Sequence, residues 1–273
     1  MHIYQEEHFS EVYKKLLKDL LNKGDYTSPN NSATLELENV QFQIENTKSC
    51  LFKNKIRSSK KKYIERELRW YISGDTSIDY ISQHTKLWEN ICDDNNQVYS
   101  NYGHILFNQQ NNHKISEWFW AVSQLSKDKE TRKSIIRFSK PRHSDPRTKD
   151  FVCAMYGYFS IRNNKLNFSV SMRSNDVILG LPNDIAFFSI LHQNMFNIIK
   201  EHHRDIELGT YTHKIDSLHV YRENISEVEA MLNQPFKNDI LDLSIHKLVD
   251  QYGLRVENYG INISKMLKTY YKN

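Results

Sequence analysis

Apolar residues near the N-terminus recur at helical spacing. Val12, Leu16, Leu17, Leu20 and Leu21 fall three and four apart between Ser10 and Lys23, which predicts a helix with one buried stripe, and Gly24 supplies its stop. After the turn-rich stretch from Tyr26 to Ser32, Thr34-Leu35-Glu36-Leu37 alternates with the two-residue period of a strand. The basic run Lys60-Lys61-Lys62 leads into Ile64, Leu68, Trp70, Tyr71 and Ile72, a second helix with a buried face. Gly74-Asp75-Thr76 breaks it and offers a cap to a third helix carrying Ile78, Ile81, Leu87 and Trp88. Glu117 to Leu125 predicts another helix, and Ser134 to Ser139 a strand.

The centre of the chain is patterned more sharply. Phe151 to Ile161 and Lys165 to Met172 predict two strands joined at Asn163-Asn164, residue types that tolerate the left-handed conformations of a tight hairpin turn. Asp184 to His202 is a long apolar helix containing Ile185, Phe187, Phe188, Leu191, Met195, Ile198 and Ile199. Glu207 to Tyr221 predicts one or two strands, Ser226 to Leu232 a helix and Leu243 to Tyr252 another. There is no internal repeat, no low-complexity tract and, with five prolines, no linker composition. The expectation is a single α+β domain over residues 1–273, with helices covering a largely antiparallel or mixed sheet.

Composition narrows the class. A hydrophobic content of 39% with 12% aromatics supplies a sizeable core and argues against global disorder. The net charge of +4 is small for 273 residues, so direct nucleic-acid binding is not expected, whereas a phosphorylated small molecule needs only a few cations. Cys50, Cys92 and Cys153 show no metal-ligand spacing, so no metal is expected, and an odd number cannot all pair within one chain. Cys50 and Cys92 are expected to be ordinary buried thiols, and reduced thiols point to the cytoplasm. The start, Met1 to Glu7, lacks the basic-then-apolar order of a signal peptide, and no stretch reaches the length of a membrane span.

Candidate chemistry follows Cys153. By position alone, among Phe151, Val152, Met155 and Tyr156 at the start of a strand, this cysteine suits the core better than catalysis, and the residues downstream reverse that. Downstream come Met172-Arg173-Ser174-Asn175-Asp176-Val177, then Leu179-Gly180-Leu181-Pro182-Asn183-Asp184, then Ser217-Leu218-His219-Val220-Tyr221. Arg-Ser offers a guanidinium fork and a hydroxyl to an anion. His219 and Tyr221 alternate on a strand and face the same way, as a pair gripping one hydroxyl would. A thiol must ionise to act as a nucleophile, and Arg173 is the natural cation to favour that if the hairpin sets its strand beside that of Cys153.

This succession resembles the thymidylate synthase family, and more closely its deoxycytidylate (dCMP) 5-hydroxymethylase branch. The resemblance runs from about Tyr63 to Tyr221 and needs no gap between Cys153 and Asp184. It implies a thymidylate synthase-like fold, a pyrimidine nucleoside monophosphate as substrate, 5,10-methylenetetrahydrofolate as co-substrate and a homodimer with shared active sites. Catalysis is then assigned to Cys153, which adds to carbon 6 of the base, to Glu67 as general acid or base, to Tyr102 in proton removal at carbon 5, and to Asp184. Arg173, Ser174, Asn175, Asp176, Asp184, His219 and Tyr221 are the implied substrate ligands, with Arg132 and Lys133 reaching the neighbouring subunit's phosphate. Trp88, Asp176 and Gly180 are implied at the folate.

Asp184 carries the substrate choice. Family members acting on uracil have asparagine there, and a carboxyl can instead accept from the amine of cytosine and, when protonated, donate to its ring nitrogen. Asn101 before Tyr102, Asn175 before Asp176 and Val220 between His219 and Tyr221 match the same branch. The chain departs from the family in Ala154 for a histidine, in Lys133 for a second arginine, and in having no arginine from Asn22 to Thr34. Only Leu254 to Tyr259 resembles the family's late strand, and the usual C-terminal segment is not recognisable. Methylation of dCMP or dUMP is the nearest alternative. A non-catalytic nucleotide or nucleic-acid binder, with Arg57 and Lys60 to Lys62 as its footprint, is the other, and Cys153, Glu67 and Tyr102 together argue against it.

Overall fold

A computed structural model describes residues 1–111, 114–145 and 148–241. They form two compact units: one of Met1–Ile64, Asn167–Gln193 and the described residues from Gly209 onward, the other of Glu65–Leu166 and Asn194–Leu208. The architecture is α+β.

In the first unit, helix α1 (Phe9–Lys23) lies on strands β1 (His2–Glu6) and β3 (Thr34–Ile44). Its stripe of Phe9, Val12, Tyr13, Leu16, Leu17 and Leu20 has no exposed surface. Burying each large apolar side chain contributes about 1.5–3 kcal/mol, so packing rather than capping holds this helix. β1 runs parallel to β3, with His2 opposite Val40. β2 (Asp25–Thr27) and β8 (Glu207–Tyr221) flank β3 in antiparallel fashion, and Thr34 faces Tyr221 while Ile44 faces Tyr211. The strand order continues from β8 to β7 (Lys165–Asp176). A two-stranded ribbon, β4 (Leu51–Lys53) with β9 (Lys237–Asp239), and helix α5 (Ile225–Leu232) complete the unit.

Helix α2 (Lys61–Ser73) belongs to the second unit from Glu65 onward, where Leu68, Trp70, Tyr71 and Ile72 are buried. Helix α3 (Glu117–Lys127) is capped by Ser116, whose hydroxyl accepts the Phe119 N–H at 3.2 Å. Strand β5 (Ile135–Arg137) pairs antiparallel with β6 (Ala154–Arg162), Ile135 opposite Tyr158. Asn163 and Asn164 follow with φ of 51° and 58°, the left-handed pair that a type I′ turn needs. The long helix α4 (Leu181–Lys200) belongs to both units in sequence.

Several expected elements are altered. β3 continues to Ile44 instead of ending at Leu37, because the buried alternation changes phase at Asn39, which adopts φ of 56°. No third helix spans Ile78 to Trp88: the segment is a series of turns ending in a 3₁₀ helix at Trp88–Asn90. Side chains there capture the backbone first. Asp75 accepts the Ser77 N–H at 2.9 Å, Ser77 bridges to Gln97, and Val98 N–H donates to Thr76 at 2.9 Å. Ile78, Ile81 and Trp88 are nevertheless buried, so their spacing marked a core contribution without a helix. α4 begins at Leu181 and ends at Lys200, and Glu207 to Tyr221 is one strand. Cys153 precedes β6 by one residue rather than starting the strand. Cys92 is half-buried, unlike Cys50. The helix expected at Leu243 to Tyr252 and the segment Leu254 to Tyr259 lie outside the described residues. Among the described residues no helix is long and apolar enough to cross a membrane.

Candidate active site

The end of β7 sets four candidate residues in a row in the first unit. Arg173 and Ser174 are half-buried, while Asn175 and Asp176 are buried. Asp176 builds the turn that follows: its Oδ1 accepts the N–H groups of Ile178, at 2.7 Å, and of Leu179. Gly180 N–H then donates to Asp176 O at 3.2 Å, and Asp184 N–H to Gly180 O at 3.0 Å, which starts α4. The other oxygen of Asp176, Oδ2, is buried without a hydrogen bond. Burial pushes the Asp176 carboxyl above the usual carboxylate range, against the opposing pull of the Leu179 N–H, His219 and Arg57.

Two long-range bonds hold this turn. Tyr13 Oη donates to Val177 O at 2.7 Å, and Arg57 Nη2 to Ile178 O at 3.2 Å while its Nη1 pairs with Glu227 at 3.2 Å. Arg57 is thereby committed to a structural bond. Lys61 likewise pairs with Asp239 at 3.0 Å, so neither serves as an open footprint for nucleic acid. Lys23, the single cation in the stretch without an arginine, pairs with Asp19 at 2.9 Å. Val177 N–H donates to His219 O at 2.9 Å, which brings β8 to the turn. His219 and Tyr221 share one face as expected, their rings 5.4 Å apart and nearly perpendicular, and both are half-buried. Arg173 to Asp176, Gly180, Asp184, His219 and Tyr221 thus all belong to this unit.

The second unit holds the other candidates. Glu67 is only 6% exposed on α2, the desolvated setting that favours proton transfer by a carboxyl. Trp70, three residues on, lies 4.8 Å from the ring of Trp88, whose Nε1 is buried without a hydrogen bond. Tyr102 is buried between Tyr71, at 5.2 Å, and Phe138, at 5.1 Å. Gly103 makes this approach possible, since a Cβ there would stand 1.5 Å from the Tyr71 carbonyl oxygen. Asn101 anchors the same segment, donating to Trp70 O at 3.3 Å and Asp75 O at 2.9 Å and accepting the His104 N–H at 2.8 Å. Cys153 is half-buried and reduced. Arg132 and Lys133 are exposed on the turn before β5.

Two residues that sequence reasoning missed tie the approach to Cys153 to the approach to Tyr102. Asp150, 3% exposed, accepts the N–H groups of Tyr99 and, at 2.8 Å, Ser100. His143 Nδ1 accepts the Lys140 N–H at 3.1 Å, so the ring hydrogen sits on Nε2 and is donated to Tyr99 O at 3.2 Å. Burial holds the His143 pKa below its ordinary value, which keeps the ring neutral, and the two hydrogen bonds set its tautomer. The Arg142 guanidinium covers the Tyr99 ring at 3.2 Å. Neither Asp150 nor His143 falls in a periodic pattern or a motif, and their roles exist only through contacts distant in sequence.

The family model for thymidylate synthase matches residues 11–264. The chain belongs to the thymidylate synthase family. Among its relatives, the deoxycytidylate 5-hydroxymethyltransferase of Enterobacteria phage T2 is 27% identical over 178 residues, 63% of this chain and 71% of that protein. The phage T4 enzyme of the same name is 27% identical over 174 residues, 61% and 70% of the two chains. The thermostable thymidylate synthase A of Bacillus subtilis superposes with a TM-score of 0.68 at 20% identity, covering 84% of this chain and 86% of that one, and carries the likeness of fold. As a thymidylate synthase family member, this protein is a folate-dependent enzyme transferring one carbon to carbon 5 of a pyrimidine nucleotide. The residues present suit the folate: a reduced pterin presents N–H donors, and the buried Asp176 Oδ2 is an acceptor with its bond unmade. Among the described residues no cluster of three or more His, Cys, Asp or Glu side chains has metal-binding geometry.

Proposed function

We propose that the enzyme hydroxymethylates dCMP at carbon 5, with Cys153 as nucleophile. The observation that carries this reading is Asp184 in the first turn of α4, where family members acting on uracil have asparagine. Methylenetetrahydrofolate supplies the one-carbon unit, and Trp88, Asp176 and Gly180 would hold it. Cys153 adds through its thiolate to carbon 6, which makes carbon 5 nucleophilic. Arg173 and Ser174 hold the phosphate, His219 and Tyr221 the sugar hydroxyl, and Asn175, Asp176 and Asp184 the base side of the nucleotide. Tyr102 assists removal of the carbon-5 proton. Glu67 orders the water that completes the hydroxymethyl group, and its burial suits that exchange of protons.

Product mass tests the reading. Incubation of dCMP, CMP and dUMP with methylenetetrahydrofolate is expected to yield hydroxymethylated dCMP with release of tetrahydrofolate. Methylated product with dihydrofolate would place the enzyme with the methyltransferases instead.

The phosphate site gains further cations if Arg132 and Lys133 are supplied by a second copy of the chain, and both are exposed and free to reach outward. Arg132→Ala and Cys153→Ala proteins, each inactive, are expected to regain activity when mixed, because one site of a mixed dimer keeps both intact residues. Absence of activity after demonstrated subunit exchange would exclude the shared site.

A further inference from the structure

Two buried polar side chains, Tyr211 and His213, have no part in the mechanism so far, and they lie against Asn175, which has been given only a general place at the base. Tyr211 and His213 alternate on β8 with no exposed surface, and Asn175 is 3% exposed at the end of β7. Tyr211 Oη lies 2.5 Å from His213 Nδ1, and Asn175 Nδ2 lies 3.4 Å from His213 Nε2 and 3.1 Å from Met172 Sδ. An amide nitrogen can only donate, so His213 Nε2 accepts, and the ring hydrogen sits on Nδ1 and is donated to Tyr211 Oη. Phe42 stacks on the imidazole at 5.1 Å and Phe188 lies at 6.1 Å. In that apolar wrapping the His213 pKa is pushed down to about 3, so the ring stays neutral and its acceptor stays available at any working pH.

With its nitrogen held by His213, the Asn175 amide turns Oδ1 the other way. A Cβ on Gly180 would stand 2.8 Å from Asn175 Oδ1 and 3.5 Å from Asp184 Oδ2. Two acceptor oxygens from different elements therefore converge over Gly180, and a side chain there would collide with Asn175 Oδ1.

We infer that Asn175 is a second specificity-determining residue, its Oδ1 accepting one hydrogen of an exocyclic base amine while Asp184 accepts the other, and that His213 is the positioning residue preventing the amide from flipping. This rests on the proposed reading of an aminopyrimidine nucleotide as substrate. An amine offers two N–H donors to the two oxygens, whereas the carbonyl of uracil meets acceptors on both sides. A flipped Asn175 would present its nitrogen and welcome the carbonyl, so the discrimination depends on what lies behind the amide.

The test is kcat/KM for dCMP and dUMP in wild type, His213→Phe and His213→Gln. Phenylalanine keeps the ring and its stacking but removes the acceptor, and the dCMP-to-dUMP ratio is expected to fall about tenfold or more, mainly through KM for dCMP. Glutamine restores an acceptor near the position of Nε2 and is expected to recover most of the ratio. Asn175→Leu, close in shape, carries the same expectation where His213→Phe fails to fold. A wild type that prefers dCMP, together with an unchanged ratio in folded His213→Phe or Asn175→Leu, overturns this inference alone. A wild type that prefers dUMP overturns the substrate reading and this inference with it.

Discussion

Replacing Cys153 with alanine is expected to take product formation and exchange of the carbon-5 proton below detection, a loss of more than about 10⁴-fold in kcat. No other thiol can stand in. Cys50 has no exposed surface and burial pushes its pKa up to about 12, and Cys92 is held to Glu89 O in the turns after the 3₁₀ helix. Nucleotide binding should survive within a few-fold, because the proposed phosphate and sugar ligands Arg173, Ser174, His219 and Tyr221 are untouched. Folding should survive too: Cys153 is half-buried ahead of β6, and removing one sulfur there costs about 1 kcal/mol or less. Calorimetric titration with dCMP, a thermal melt and release of label from carbon 5 separate these effects. Turnover retained in a clean Cys153→Ala preparation would refute the covalent mechanism.

That candidate was legible because its companions lie close together in sequence. Arg173 to Asp176 end one strand, Gly180 and Asp184 open the next helix, and two segments therefore deliver most of the proposed nucleotide site in order. Helices α1, α2 and α4 were legible for a different reason, since each repeats its apolar stripe over several turns. The hairpin was marked by Asn163 and Asn164, two copies of a residue type that accepts positive φ. Apart from β5, which falls inside the strand expected at Ser134 to Ser139, the three-residue strands were not legible. β2, β4 and β9 have three residues each, too few to show alternation, and exist because a partner strand completes their hydrogen bonds. The stretch from Ile78 to Trp88 misled because its apolar spacing reports burial, while Asp75 and Ser77 decide the backbone. Asp150 and His213 were illegible on the same principle carried further. Asp150 serves a residue 50 positions away and His213 one 38 away, and nothing in the local pattern around either announces a partner.

Asp184→Asn is expected to move the enzyme from the cytidine to the uridine nucleotide. Asp184 lies in the first turn of α4, where the helix N-terminus favours a carboxylate, and after burial it is the second cause that raises the pKa of the Tyr211 phenol. An ionised carboxylate accepts from the amine of cytosine but faces the carbonyl of uracil with like polarity. A protonated one still meets the ring N–H of uracil with a donor. Each mismatched buried polar group costs about 1–3 kcal/mol, roughly tenfold to a hundredfold in discrimination. An asparagine amide can both donate to that carbonyl and accept from that N–H, so the variant should lose about this much on dCMP and gain on dUMP. The gain should be the smaller change, because Asn175 Oδ1 remains on the same side as an acceptor that the carbonyl of uracil does not want. Combining Asp184→Asn with His213→Phe should then raise dUMP activity beyond either change alone, since the freed Asn175 amide can turn its nitrogen toward the base. The measurement is kcat/KM for both nucleotides in the four proteins of that cycle. A wild-type preference for dUMP would sink the choice of substrate while leaving the family, the fold and Cys153 as nucleophile standing.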